Sequence, residues 1–492
     1  MISHRSLAGW LAAALAAGSV AATAQQPSAD RPTLEMRPCE LPNGGGPARC
    51  GTYHALENRE QPGGRRIPVD VVVLPARSAT PRPDPIFFIA GGPGQTVTEI
   101  AAAFASSPHR QERDFVLVDQ RGTSPAHALD CQLPGSPQAP QRYLEPVYQP
   151  ALFRQCRAEL EAKADLTRYL TADYVEDLDE VRRALGYGPI NVQGGSYGTR
   201  VVLHYLRLYP QNARTAVMSS VSPPAARNPL THARDSQLAL DSIFALCDRD
   251  TACRGAFPEL RREFAETLER LRRQPARVTI TNPATLEPTE ITLDRDAFAE
   301  GVRLTLYNWD RARRLPLLLH RAYGGDYTAF AQLALGSAAS VRGSLRFGLL
   351  MSVVCAEDVP RITEADIVQE TRGTFLGDVR VRTQSAACAE WPRRALPAGY
   401  NDPIVSDVPA LLVSGAYDPA TGPRWGQVAA RTLRNSVHVV IPGSHTAGSP
   451  CVDRMVADLL ERGSVQGLDT SCVAGVTLPP FIVSDDASAG NE

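Results

Sequence analysis

The chain has 492 residues, 43% of them hydrophobic and 21% charged, with 51 lysines and arginines against 53 aspartates and glutamates. That length carries roughly two to four structural units and a large buried core. A formal net charge of −2 gives no long-range pull toward nucleic acid or an anionic membrane, so neither is an expected partner.

Residues 1–24 read as a secretory signal. His4 and Arg5 precede an apolar run over 7–17, and Ala22-Thr23-Ala24 before Gln25 supplies an A-x-A cleavage site. The run is shorter than the ~20 residues of a spanning helix, so a secreted or periplasmic mature chain with no stable membrane insertion is expected. Residues 25–65, rich in Pro, Gly and charge, with a turn at Asn43-Gly44-Gly45-Gly46, are expected to form an N-terminal extension tied down by Cys39 and Cys50.

Apolar runs bounded by Pro, Gly and Asp follow at 67–74, 86–90, 115–118, 190–192 and 216–221. They are continuous rather than alternating, as strands buried on both faces of a parallel sheet must be. A helix over 173–185 lies between them, with Val175, Leu178, Val181 and Leu185 on one face and Gly186 as the stop. Strand and helix alternate, which predicts a doubly wound, mostly parallel α/β sheet whose first part spans 66–221. From 222 to 403 arginine-rich amphipathic stretches dominate, such as 260–273 and 311–323, with one short strand pair over 278–293; this reads as a mainly helical lid. Strand character returns at 410–413 and 437–441, giving a second core part over 404–477, and a flexible tail is expected over 478–492.

The ten cysteines are Cys39, Cys50, Cys131, Cys156, Cys247, Cys253, Cys355, Cys388, Cys451 and Cys472. An even count behind an export signal predicts disulfides. Sequence does not fix their connectivity, but pairing each cysteine with its next neighbour closes five short loops, each within one segment. No pair has the C-x-x-C spacing of a zinc ribbon, and no metal site is expected.

Gly194-Gly195-Ser196-Tyr197-Gly198 holds a G-x-S-x-G pattern between the strand starting at 190 and a helix over 199–208. On so sharp a turn the serine hydroxyl stands clear of the backbone, and the flanking glycines remove side chains that would collide. Such a short pattern is weak alone; its partners strengthen it. Asp418 follows strand 410–413, whereas Asp402 and Asp407 precede it, at the wrong end. Of the two later histidines, His438 lies among strand valines, while His445 lies in the loop Gly443-Ser444-His445-Thr446-Ala447-Gly448. Ser196 as nucleophile, His445 as base and Asp418 as the residue orienting it appear in the order an α/β-hydrolase uses. The loop Ala90-Gly91-Gly92-Pro93-Gly94 follows strand 86–90, where oxyanion donors belong. The backbone N–H groups of Gly92 and Tyr197 are the expected donors, with Gly91 the alternate.

Gly91-Gly92-Pro93-Gly94, Asp119-Gln120-Arg121-Gly122-Thr123, Gly194 through Arg200 and Gly415-Ala416-Tyr417-Asp418-Pro419 together resemble the prolyl and tripeptidyl aminopeptidase family of α/β-hydrolases. The insert resembles that family's lid, with Tyr307 and Trp309, then Gly325-Asp326, then Cys355-Ala356-Glu357-Asp358. Ala90 stands where many prolyl aminopeptidases have histidine, as in secreted tripeptidyl-type members, which points away from a strict proline preference. The resemblance implies removal of one or a few residues from free peptide N-termini, with an acid near the lid pairing with the substrate ammonium. Glu357 is the first candidate for that acid and Asp358 the second. Arg121 is expected to support loops beneath the site, and Tyr307, Trp309 and Trp391 to pack as lid core.

An esterase or amidase would use the same residues, and a silent hydrolase fold used for binding is a third reading; the complete Ser196, Asp418 and His445 set argues against the last. No organic cofactor is implied, since no H-E-x-x-H, dinucleotide glycine pattern or phosphate loop occurs. Small peptides are the expected binding partners; oligomeric state is not legible.

Overall fold

The computed structural model describes residues 33–485 apart from 283, so the signal segment expected over 1–24 lies outside the described residues. Eleven strands occur among them: β1 (Arg37–Leu41), β2 (Gly46–Leu56), β3 (Arg66–Leu74), β4 (Ile86–Ile89), β5 (Phe115–Val118), β6 (Ile190–Gly195), β7 (Ala213–Ser219), β8 (Ala276–Thr281), β9 (Pro288–Leu293), β10 (Ala410–Gly415) and β11 (Ser436–Ile441). Nine form one sheet in the order β1-β2-β3-β5-β4-β6-β7-β10-β11. The pairs among β1, β2, β3 and β5 are antiparallel, and every pair from β5 to β11 is parallel. This is the α/β-hydrolase fold.

Neighbouring residues of each central strand enter different clusters. Val71, Val73, Val116, Val118, Val192 and Leu412 pack on one face of the sheet. Val72, Leu74, Phe115, Leu117, Leu411 and Val413 pack on the other. Side chains alternate across a strand, so a sheet covered on both sides needs both sets apolar, hence the unbroken runs in the sequence. The helix expected at 173–185 spans Thr171–Ala184, with Val175, Leu178 and Val181 buried.

Residues 37–56 are not a mere extension. Cys39 and Cys50 are bonded, as expected, but the segment carries β1 and β2, and β2 pairs with β3 along eight residues. All five disulfides join a cysteine to its next neighbour: Cys39–Cys50, Cys131–Cys156, Cys247–Cys253, Cys355–Cys388 and Cys451–Cys472.

The insert divides by what it packs on. Its helices from His232–Arg249 to Thr328–Ser344, with the β8–β9 hairpin, share a separate apolar cluster. The helix Phe347–Glu357, buried along its whole length, packs instead in the main core with Cys388 and Trp391. Of the flexible tail expected over 478–492, the described residues up to 485 are packed against the lid. Ile482 is buried, its N–H donates to the Arg313 carbonyl, and Phe481 packs on Trp309, whose indole N–H donates to the Pro479 carbonyl.

Candidate active site

The parallel register brings the ends of β4, β6, β10 and β11 to one rim, because Ile89 pairs with Gly194, Gly195 with Ser219, Val413 with Ser219, and Gly415 with Ile441. Gly92 lies three residues beyond β4, Ser196 one beyond β6, Asp418 three beyond β10 and His445 four beyond β11. Loops at the carboxyl ends of parallel strands are where such sheets bind ligands.

Ser196 has φ 55° and ψ −125° between β6 and the helix Tyr197–Leu208. A non-glycine residue in that region is strained and persists only where its surroundings fix it. Here its N–H donates to the Ser219 carbonyl at 3.0 Å, and its carbonyl accepts from the Thr199 N–H at 3.0 Å and hydroxyl at 2.6 Å. The turn is tight enough that a Cβ on Gly198 would lie 2.3 Å from the Ile89 carbonyl oxygen. The glycine loop lies directly against the serine, since a Cβ on Gly91 would be 3.1 Å from the Ser196 Cβ.

Asp418 is 3% exposed and fully engaged. One carboxylate oxygen accepts from the Ala420 and Thr421 N–H groups, both at 2.9 Å, and the other from the Thr421 hydroxyl at 2.9 Å. His445 Nδ1 lies 3.0 and 2.9 Å from its two oxygens. Burial alone would push the Asp418 carboxyl up; the His445 imidazole and the Thr421 and Ala420 donors outweigh it and hold the group well below the usual carboxylate range. A carboxylate so held keeps the imidazole proton on Nδ1 and leaves Nε2 free to accept one. The two loops are zipped together by bonds from the Ala416 N–H to the Ile441 carbonyl and from the Tyr417 N–H to the Gly443 carbonyl, both 2.9 Å. The Ser220 hydroxyl accepts from the Thr446 N–H at 2.7 Å and fixes the residue after the imidazole. His438 remains in β11, bonded to the Ser414 hydroxyl at 2.9 Å.

Gly92 has φ +107°, which glycine alone adopts without strain. The Tyr197 N–H is the first of its helix and has no intrahelical acceptor. Gln120 joins the two segments: its Oε1 accepts from the Gly94 N–H at 3.1 Å and its Nε2 donates to the Tyr197 hydroxyl at 3.2 Å. Asp119 accepts from the N–H groups of Val97 and Thr98, just past the glycine loop, at 2.8 and 3.0 Å. Arg121 is buried beneath, paired with Asp177 at 2.6 and 2.7 Å and with carbonyls of Glu57 and Arg168, a supporting position.

A cavity of about 680 Å³ opens at this rim, lined from the sheet side by Gly92, Ser196, Tyr197 and His445, and from the lid by Glu300, Tyr307 and Arg380 among others. Glu357 and Asp358 are corrections to the sequence reading: both are 1% exposed and neither lines the cavity. Glu357 accepts from the Thr171 N–H and Tyr400 hydroxyl at 2.7 Å and from the Thr171 hydroxyl at 2.8 Å, with Arg200 at 3.7 Å. Asp358 is paired with Arg200 at 3.0 Å and Arg361 at 2.9 Å. With every oxygen engaged by the protein, these acids brace the helix and, through Thr171, the Tyr197 side chain. Tyr307 is a second correction. It lines the cavity and sets its ring edge-on to His445, centroids 5.0 Å apart. Trp391 is in the core, donating to the Ser352 hydroxyl.

Sequence reasoning missed Gln120, Thr421 and Ser220 as site residues. Gln120 was within reach, since it lies two residues beyond β5 in a motif already singled out; nothing local marks the other two.

Residues 374–472, which contain Asp418 and His445, match the family described as TAP-like protein. The serine protease Hip1 of Mycobacterium tuberculosis is 26% identical over 484 aligned residues, covering 89% of this chain and 91% of that protein. Carboxylesterase B of the same organism is 25% identical over 461, covering 86% of each. Tripeptidyl aminopeptidase of Streptomyces lividans is 26% identical over 196, covering 36% of each. The likeness carried by the motifs extends along most of the chain, and it is a likeness to serine hydrolases.

Proposed function

We propose that this serine hydrolase, similar to the TAP-like proteins, is an exported peptidase that releases one or a few residues from the free N-terminus of small peptides through an acyl-enzyme on Ser196. The observation that carries the reading is the Asp418–His445 pair facing the same cavity as a serine on a strained strand-to-helix turn, with the glycine loop against it. His445 Nε2 takes the proton of the Ser196 hydroxyl as its oxygen adds to the scissile carbonyl. The Gly92 and Tyr197 amides receive the developing oxyanion. The proton passes from His445 to the leaving amine, and water then repeats the sequence to free the acid.

Likeness to Hip1 along nearly the whole chain and to a tripeptidyl aminopeptidase over part of it supports a peptide substrate. Asp294, Asp296 and Glu145 line the cavity and offer carboxylates to a substrate ammonium in place of Glu357. Five disulfides favour an oxidising compartment, and among the described residues no helix is long and apolar enough to cross a membrane. The similarity to carboxylesterase B favours an esterase as the second reading.

The test is a panel of tripeptide and single-residue anilides with free and blocked N-termini beside simple esters, with fluorophosphonate labelling of Ser196. Cleavage confined to free-amine peptides supports the proposal, turnover of esters alone rejects it for the esterase, and no labelling rejects both. Ser196→Ala is expected to lose on the order of 10⁶ in turnover.

A further inference from the structure

The lid side of the cavity carries an ion cluster whose charges do not cancel. Glu300 accepts from Arg303 through Nη2 at 2.6 Å and Nε at 2.8 Å, which uses that carboxylate in a bidentate pair. Arg303 Nη1 donates to the Tyr307 hydroxyl at 2.9 Å, and Tyr307 lies against His445, so the cluster is joined to the reaction centre by direct contacts. Arg380 then adds a second guanidinium to the same carboxylate, Nη1 to Oε1 at 3.3 Å, and has no other ion pair among the described residues. Two cations share one anion.

Arg380 is held as a binding group would be. Its Nε donates to Gln384 at 3.2 Å, its Nη2 to the Tyr148 hydroxyl at 3.2 Å, and its guanidinium lies 4.8 Å from the Tyr148 ring centre. A guanidinium has five N–H groups; three are engaged, leaving one on each terminal nitrogen. The side chain keeps 24% of its exposure and lines the cavity. With one N–H left on each terminal nitrogen, the guanidinium can still meet a carboxylate. His232 lines the cavity with a buried Nδ1 that has no protein partner, and burial, then Arg380 and Arg303, hold its imidazole well below the usual range.

We propose that the acyl portion of the preferred substrate carries a carboxylate, and that Arg380 is the residue that binds it. An unmatched guanidinium in a partly dry cavity is short of one negative partner, and an acidic residue on the acyl side supplies it. This rests on the hydrolase reading of the same cavity. Because the charge meets the substrate before and during reaction alike, it acts mainly on KM.

The experiment uses free-amine tripeptide anilides, with matched p-nitrophenyl esters, in which Glu or its neutral isostere Gln occupies each of the three acyl positions in turn. Wild type is expected to prefer Glu about tenfold to a hundredfold in kcat/KM at one position, mostly through KM. In Arg380→Gln that ratio falls to about one, and Arg380→Lys keeps part of it. Glutarate should inhibit wild type at least about tenfold more strongly than its neutral diamide, a comparison that needs no variant to fold. Brisk turnover with a ratio near one at every position, a ratio unchanged in Arg380→Gln, or equal inhibition by acid and diamide overturns the proposal alone. No turnover of any substrate together with no fluorophosphonate labelling overturns the hydrolase reading beneath it.

Discussion

Replacing Gly198 by alanine tests the packing that holds the nucleophile against the oxyanion loop. The added methyl carbon would lie 2.3 Å from the Ile89 carbonyl oxygen and 2.7 Å from that of Ala90, both backbone atoms at the root of the Gly91-Gly92 loop. Ordinary contact begins near 3.4 Å, so the helix start and the loop must separate by about 1 Å, a displacement that can cost about 10² in rate at a catalytic centre. Overpacking of this kind also costs about 1–3 kcal/mol of stability. The expected result is a folded protein of lower Tm whose rate of fluorophosphonate labelling and whose kcat both fall by about 10², with KM less affected. Gly255→Ala is the control, since its Cβ meets nothing within 4 Å and it lies in the helix Thr251–Ala256; Tm should hold or rise, as alanine is the better helix former. Labelling of Gly198→Ala at the wild-type rate would show that the close approach of elbow and loop is not what positions the serine, and would refute the reasoning.

Three further outcomes are expected. Gln120→Leu strands the Gly94 N–H and leaves the Tyr197 hydroxyl with Thr171 alone, so kcat should drop about tenfold with KM little changed and Tm modestly lower; steady-state kinetics at saturating substrate decide it. Thr421→Val removes the hydroxyl donor from Asp418 but leaves both backbone donors, and should lower kcat about tenfold without altering the melting profile by more than a few degrees. The depressed Asp418 carboxyl contributes stability that is fully present above the unfolded value near pH 3.9 and is lost as pH falls through the lower folded value. Urea unfolding of wild type and Asp418→Asn between pH 7 and pH 3 should therefore show the stability difference narrowing below about pH 4, and a difference independent of pH would contradict the electrostatic account.

The central strands were legible because burial on both faces forces an unbroken apolar run, as in Phe115–Val118, found with the expected ends. The turn at Ser196 and the loops of Asp418 and His445 were legible because each directly follows such a run. β1 and β2 were not, because their residues argue against a strand one by one. Pro38 removes a ladder donor, which an edge strand tolerates, and β2 opens Gly46-Pro47 and has Gly51 inside it. The pairing of β2 with β3, seen only in three dimensions, overrides that local preference. Glu357 misled for a related reason. An acid after a cysteine looks the same in sequence whether it faces a ligand or is enclosed, and its Thr171 and Tyr400 partners are 186 and 43 residues away. Tyr307 looked like lid core because nothing in its neighbourhood foretells that the insert turns that ring onto a histidine 138 positions later.

The closing stretch of the chain alters how the lid can move. The cover over 232–344 leaves the core after β7 and rejoins it at the buried helix Phe347–Glu357, two attachments about which it could swing. Residues 479–485 add a third: they run out from the core segment fastened by Cys451–Cys472 and grip the helices of the lid through Trp309, Arg313 and Arg321. A plate fixed at three separated places has no single hinge axis. Motion of the cover is then confined to local opening between the fastenings.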